Sequence, residues 1–186
     1  MKDSQVRVQS ATFYEKALRP TNSCCGAPNA FTQAAGYDAA ELEALPADAT
    51  GNSFGCGNPL AFAGVLPGQT VLDLGCGAGI DLLIAAQRVG PTGQVIGVDV
   101  SEVMLERAKA NAARAGATNI ELRLGAIENL PVEAKTIDWV VSNCVINLSP
   151  DKAQVFREIH RVLKPAGHML VTDMIAEDLP DWIVRD

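Results

Sequence analysis

The sequence predicts an α/β fold, a parallel twisted sheet with helices on both faces. Three observations carry this reading. From Gln69 onward, short apolar strand patterns alternate with helical ones. A glycine-rich turn follows the first of those strands, and recognisable caps and stops punctuate the helices. Strands separated by helices are joined by right-handed crossovers, which bury a parallel sheet between helical layers.

Thr70 to Leu74 is a short apolar strand, and a helix follows its glycine turn from about Ile80 to Val89. Gly90 to Gly93 turns the chain into a second strand, Gln94 to Val98. Ser101 caps a helix that runs to about Ala115, where Gly116 stops it. Asn119 to Leu124 and Ile137 to Ser142 are the third and fourth strands. Asp151 to Leu163 is a helix with Val155, Phe156, Ile159, Val162 and Leu163 on its buried side. Lys164 to Gly167 closes it, and His168 to Asp173 is the fifth strand. The first 66 residues differ in texture. Ser4 to Leu18 can form a helix with a ragged apolar face, Pro20 to Pro28 is turn-rich, and Ala39 to Leu45 is a short helix stopped by Pro46. Asn58 caps another short helix, with Pro59 at its first position. Two regions follow: 1–66, cysteine-bearing helices and loops that cover a site, and 67–186, the α/β domain.

A chain of 186 residues, 48% hydrophobic and 20% charged, suits one domain with a core of its own. Its net charge of −7 supplies no positive field for phosphates, so nucleic acid is not an expected partner. No apolar run approaches the roughly 18 residues of a membrane span. No charged-then-apolar leader opens the chain either, and a cytoplasmic protein is expected. Cysteines stand at 24, 25, 56, 76 and 144, odd in number and irregular in spacing. Thiols kept reduced for chemistry fit that pattern better than a disulfide framework. With two histidines and no CxxC pair, zinc has few ligands to draw on.

Asp73-Leu-Gly75-Cys-Gly77-Ala-Gly79 sits at the end of strand 1 and runs into a helix. Glycines there let backbone pass close to a ligand. The spacing is GxGxG after an acid, unlike the GxGxxG that seats a pyrophosphate on a helix N-terminus. The acid would repel a pyrophosphate and suits a ligand with an amino group. Asp99 closes strand 2, where a carboxylate accepts hydrogen bonds from both hydroxyls of a ribose. Gly125 to Pro131 follows strand 3 and can hold a purine edge through Glu128 or a backbone amide. All three lie at the carboxyl ends of adjacent strands, where open α/β sheets bind ligands. Together these residues resemble the Rossmann-like class I S-adenosylmethionine-dependent methyltransferases. The resemblance implies that Asp73, Gly75, Gly77 and Gly79 wrap the methionine part of S-adenosyl-L-methionine and Asp99 its ribose. It also implies that Ala126, Ile127 and Glu128 hold the adenine, that Met104 packs on the adenine ring, and that Asn143 contacts the cofactor.

A second constellation is thiol-based. Ser142-Asn-Cys144-Val-Ile-Asn-Leu-Ser-Pro-Asp-Lys152 begins at the end of strand 4. With strand 4 beside strand 1, Cys144 emerges next to the cofactor's reactive end, and a cysteine there indicates a soft acceptor. Phe54-Gly-Cys56-Gly57 lies upstream, in a loop that must cover the same crevice to matter. Phe54 either caps the cofactor or anchors the loop. These two runs, with the Cys24-Cys25 loop, are similar to the arsenite S-adenosylmethionine methyltransferases over nearly the whole chain, as far as Met174.

That resemblance implies a set of four catalytic cysteines. Cys56 and Cys144 would ligate trivalent arsenic, and Cys24 or Cys25 would pair with Cys56 as a disulfide during turnover. It implies arsenite or its thiol conjugates as substrate, glutathione or thioredoxin as reductant, and arsenic detoxification as the role. Trivalent arsenic is thiophilic. Held by thiolates, it keeps a lone pair able to attack a sulfonium methyl without a general base, which suits a histidine-poor chain. A free thiol has a pKa of about 8.5, so binding displaces protons and affinity should rise with pH. Cys76, His160 and His168 are read as structural.

Two other readings share parts of this pattern. A ubiquinone- or menaquinone-type C-methyltransferase would use the same cofactor loops but has no use for Cys56 and Cys144 together. A non-catalytic arsenic-binding domain would use the thiols without methyl transfer. The resemblance further implies a third arsenic-binding cysteine and two final antiparallel strands, both of which fall past Asp186. A truncated or naturally short form is expected on that count, with strand 5 an open edge through which copies self-associate.

Overall fold

β1 (Thr70–Leu74) lies at the centre of a five-stranded sheet whose order is β3-β2-β1-β4-β5. The other strands are β2 (Gln94–Asp99), β3 (Ile120–Leu124), β4 (Ile137–Asn143) and β5 (Leu163–Thr172), and every pairing is parallel. The computed structural model describes residues 12–13, 16–17 and 30–175. Most of the helix expected over Ser4 to Leu18, and the segment carrying Cys24 and Cys25, therefore lie outside the described residues.

Side chains alternate across each strand, so the two faces of the sheet build two cores. Val71, Val95 and Val141 face α4 (Ile80–Val89) and α5 (Glu102–Arg114). Leu72, Leu74, Ile96, Val98 and Val140 face α6 (Lys152–Val162), which contributes Val155, Ile159 and Val162. Between residue 30 and the sheet lie three short helices, α1 (Ala30–Ala34), α2 (Ala39–Glu43) and α3 (Ala47–Gly51). Tyr37, Leu42, Leu45, Ala49 and Leu60 from this region share the α4/α5 core, so it is packed onto that layer. No helix among the described residues is long and apolar enough to cross a membrane.

The expected caps are in place. Ser101 Oγ accepts from the Met104 N–H at 3.3 Å, and the structure adds a cap the sequence reading did not name, Asp151 Oδ1 accepting from the Gln154 N–H at 2.9 Å. Asn58 accepts from the Ala61 N–H at 3.0 Å ahead of a single 3₁₀ turn, Pro59–Ala61. Two expectations need correction. Phe156 is not on the buried side of α6: it is 43% exposed, because Val155, Ile159 and Val162 already fill the inward stripe at i, i+4 and i+7. The run Lys164–Gly167 does not precede the fifth strand but lies inside it. Leu163 already pairs with Ile137, pairing resumes at His168 opposite Trp139, and the four residues between bulge out through Ala166 at φ 65°. His168 stacks on Trp139 with ring centroids 4.8 Å apart, which accounts for it structurally, and His160 is exposed. β5 has no neighbour on its outer side among the described residues.

One buried charge ties α3 to the sheet-bound layer. Asp48, 7% exposed, accepts from Arg107 at 2.6 Å, from Asn111 Nδ2 at 3.1 Å and from Asn52 Nδ2 at 3.0 Å. Asn111 Nδ2 also donates to the Ala78 carbonyl at 3.0 Å, inside the glycine turn. Asp48→Ala strips Arg107 and two amides of their shared partner and is expected to cost about 2–3 kcal/mol in urea unfolding. A loss below about 0.5 kcal/mol would show that this contact does not hold α3 in place.

Candidate active site

The carboxyl ends of β1, β2 and β4 open into one cavity. Asp73, Gly75 and Gly77 line it from β1 and its turn, Asp99 from β2, Ile127 and Glu128 from the segment after β3, and Asn143 and Cys144 from the end of β4. Met104, 3% exposed, closes it from α5. Among the expected cofactor residues, Gly79 and Ala126 are not part of the wall. Gly79 is the N-cap of α4 at φ 94°, and Ala126 bridges to Asn129. Phe54 and Gly55 also line the cavity, so the upstream loop does reach the crevice.

Glycine is required in the turn by a specific close approach. Gly75 has φ 65°, and a Cβ there would sit 2.5 Å from Val145 Cγ2, just past Cys144. The Gly77 N–H donates to Asp99 Oδ2 at 2.9 Å, and the Ser101 N–H donates to Asp99 Oδ1 at 2.9 Å. Cys76, buried and unbonded, places its sulfur over Gly97, where a Cβ would come within 2.9 Å of it. It fills space, and burial holds its thiol protonated by pushing its pKa well up.

The wall carries Asp73, Asp81, Asp99 and Glu128 and no basic side chain among the described residues. Burial, then the neighbouring charges of Asp81 and Asp99, raises the Asp73 carboxyl well above the usual carboxylate range. Burial raises Asp81 to about 6, against hydrogen bonds from Asn143 and Tyr37 that favour its charged form. Burial likewise raises Asp99. Asp73 Oδ2 is buried without a hydrogen-bond partner. An unpartnered buried acceptor in an acidic wall fits a ligand that brings cationic donors, and S-adenosyl-L-methionine, with an ammonium and a sulfonium, is such a ligand.

Beside this wall the two expected thiols meet. Cys56 and Cys144, 88 residues apart, are not the free thiols expected: they are joined as a disulfide with Cα atoms 6.0 Å apart. The implied pairing of Cys56 with Cys24 or Cys25 is therefore not the one the structure holds; Cys56 has Cys144 as its partner because the Phe54–Gly57 loop lies against the end of β4. Cys144 has φ 57°, unusual for a residue with a Cβ, and its N–H donates to the Thr172 carbonyl at 2.8 Å. Sequence reasoning missed Tyr37, Asp81 and Thr172. Tyr37 Oη donates to Asp81 Oδ1 at 2.9 Å, and Thr172 Oγ1 donates to Asn143 Oδ1 at 3.0 Å. Asp81 reads in sequence as an ordinary first-turn acid and Thr172 as an ordinary strand residue.

A parallel sheet whose glycine turn and acids converge at its carboxyl edge defines the class I methyltransferase type of α/β fold. A family model described as a methyltransferase domain matches residues 66–186, and the chain belongs to that family. It is 47% identical over 152 residues to an arsenite methyltransferase of Halobacterium salinarum, covering 81% of this chain and 39% of that protein. It is 37% identical over 177 residues to an arsenite methyltransferase of Aquipseudomonas alcaligenes, covering 89% of this chain and 49% of that one. Among solved structures it is similar to an arsenic(III) S-adenosylmethionine methyltransferase from Chlamydomonas reinhardtii, with 38% identity and a TM-score of 0.61, over 80% of this chain and 50% of that chain. The chain thus spans half or less of the length of these relatives.

The buried acids set a pH dependence whose sign is fixed. Asp81 and Asp73 hold protons in the folded state at a pH where the unfolded chain has released them. Their contribution to stability is full below the unfolded value of about 4 and is lost as pH rises through the folded value, about 6 for Asp81. The ligand-free protein is expected to lose about 2 kcal/mol from Asp81 between about pH 4 and pH 6.5, read as a falling thermal midpoint. A cationic ligand relieves the penalty and should bind more tightly as pH rises through the same window. A thermal midpoint that climbs over this range would contradict the assignment.

Proposed function

We propose that this chain transfers the methyl group of S-adenosyl-L-methionine to trivalent arsenic held by the thiolates of Cys56 and Cys144. Arsenite or its thiol conjugates would be the substrate, and glutathione or thioredoxin would return the cysteines to thiols. The observation that carries this reading is the meeting of two sulfurs from distant segments at the edge of an acid-lined cavity. The names of the similar proteins support it.

S-adenosyl-L-methionine, when bound, supplies an electrophilic methyl on a sulfonium. Asp73 and Asp81 offer the carboxylates its cationic groups need, Asp99 faces the ribose side, and Ile127, Glu128 and Met104 form the wall for the base. The glycine turn lets the backbone come close. Two thiolates suit the arsenic because it is soft, and chelation by two groups already side by side removes most of the entropy of bringing them together. Arsenic bound this way carries its own lone pair, so no residue need act as base. The As–C bond would form as the S–CH3 bond breaks and S-adenosylhomocysteine leaves, and arsenic would rise formally from III to V. Two thiols would return it to III by giving up two electrons and two protons as they form the disulfide that glutathione or thioredoxin then reduces. Cys24 and Cys25, outside the described residues, would serve as the relay that reopens a Cys56 disulfide by thiol exchange. Reduction by glutathione or thioredoxin would be met in the cytoplasm, where such a protein would work. The open outer edge of β5 would let copies associate.

The test is titration of the reduced full chain with arsenite, followed by tryptophan fluorescence, with methyl transfer measured from labelled S-adenosyl-L-methionine. Cys56→Ser and Cys144→Ser should each weaken arsenite binding on the order of 100-fold, since each breaks the chelate, and each should abolish methylated product. Unchanged affinity in both variants would overturn the reading. Tight binding with no product in the wild type would leave an arsenic-binding domain in place of an enzyme.

A further inference from the structure

Asn143 lines the cavity, yet its amide is fully engaged with the protein. Its Oδ1 accepts from the N–H groups of Cys56 at 3.0 Å and Gly57 at 3.3 Å, and from Thr172 Oγ1 at 3.0 Å. Its Nδ2 donates to the Gly57 carbonyl at 2.7 Å, to Tyr37 Oη at 3.0 Å and to Asp81 Oδ2 at 3.2 Å. The orientation of the amide is unambiguous: the two backbone N–H groups can only donate and the Gly57 carbonyl can only accept. The loop lies directly on these side chains. A Cβ at Gly55 would stand 2.3 Å from Asn143 Nδ2, and one at Gly57 3.0 Å from Thr172 Cβ, so the glycines either side of Cys56 are what allow the seat. Thr172 serves both thiols at once. Its hydroxyl braces Asn143 while its carbonyl accepts the N–H of Cys144, which is held at a positive φ.

We propose that Asn143 and Thr172 are positioning residues that hold the Cys56 loop over Cys144, and that Asn143 spends its amide on this loop and not on the cofactor. The proposal rests on Cys56 and Cys144 being the working pair of the reading above. It accounts for the asparagine before Cys144 and for the glycines around Cys56 by one contact.

The test reads thiol proximity directly. The reduced full chain is equilibrated with glutathione mixtures in the absence of arsenite and cofactor. Cys56 and Cys144 lose two electrons and two protons to form their disulfide as one glutathione disulfide becomes two glutathiones. Differential alkylation mapped to the two cysteines gives the equilibrium constant, which measures how well the fold holds them together. Thr172→Val, which keeps shape and loses the hydroxyl, should lower the constant about tenfold, the loss of one half-buried hydrogen bond. Thr172→Ser should keep it within about twofold. Asn143→Ala should lower it at least as far, and the double variant Asn143→Ala/Thr172→Val no further, since the two act through one contact. Thr172 is not in the cavity wall, so calorimetric affinity for S-adenosyl-L-methionine should stay within about twofold in both Thr172 variants. A wild-type constant in Thr172→Val, an equal fall in Thr172→Ser, or a matching fall in cofactor affinity would each overturn the proposal. The Thr172 pair decides the matter even if Asn143→Ala fails to fold. Because no arsenite is present, a protein indifferent to arsenic would still return these ratios, which separates failure here from failure of the functional reading.

Discussion

β1 and β4 are neighbours in register, with Leu74 opposite Ser142, and the chain leaves both strands at the same level. Immediately beyond, Gly75 and Cys144 both take positive φ, and the side chain of Val145 fills the space a Cβ on Gly75 would need. The glycine turn and the thiol turn therefore interlock. A slip of one residue between these strands would put the Asp73 and Asn143 side chains on different faces of the sheet and part the two halves of the site. The cavity, the acids that line it and the convergence of the sulfurs all follow from this one pairing.

The site carries its own destabilisation. Burial raises the proton affinity of three carboxylates around one cavity, the charges of Asp81 and Asp99 raise that of Asp73 further, and one oxygen of Asp73 has no hydrogen-bond partner. Such groups are expensive to bury in a ligand-free fold and become favourable when a cation arrives. The surrounding apolar layers, with Leu72, Leu74, Val71 and Val141 fully buried beside the site, provide the rigidity that lets the acids persist. Stability is given up where function needs charge.

Much of this was legible in the amino-acid sequence because it is local. The strand and helix alternation, the caps at Ser101 and Asn58, and the spacing of Asp73, Gly75 and Asp99 are short-range patterns. The pairing of strands 1 and 4 is long-range, and it was the resemblance to the class I methyltransferases, with their doubly wound strand order, that implied it. What escaped was either long-range or locally ordinary. Tyr37 reaches Asp81 across 44 positions and Asn143 across 106. Phe156 looks like core in any helical count, yet three aliphatic residues already occupy the stripe. The Lys164–Gly167 run has the composition of a turn, and only the partner strand reveals that pairing resumes beyond it as a bulge. The partner of Cys56 depended on where a loop settles, which no spacing rule specifies.

The most direct test of the account is arsenic K-edge X-ray absorption on the reduced full chain loaded with one equivalent of arsenite. The account predicts a sulfur-dominated shell that loses one sulfur in Cys56→Ser and one in Cys144→Ser, with Cys76→Ser unchanged. A shell identical in wild type, Cys56→Ser and Cys144→Ser would mean that arsenic sits elsewhere, and the assignment of this cavity would be wrong.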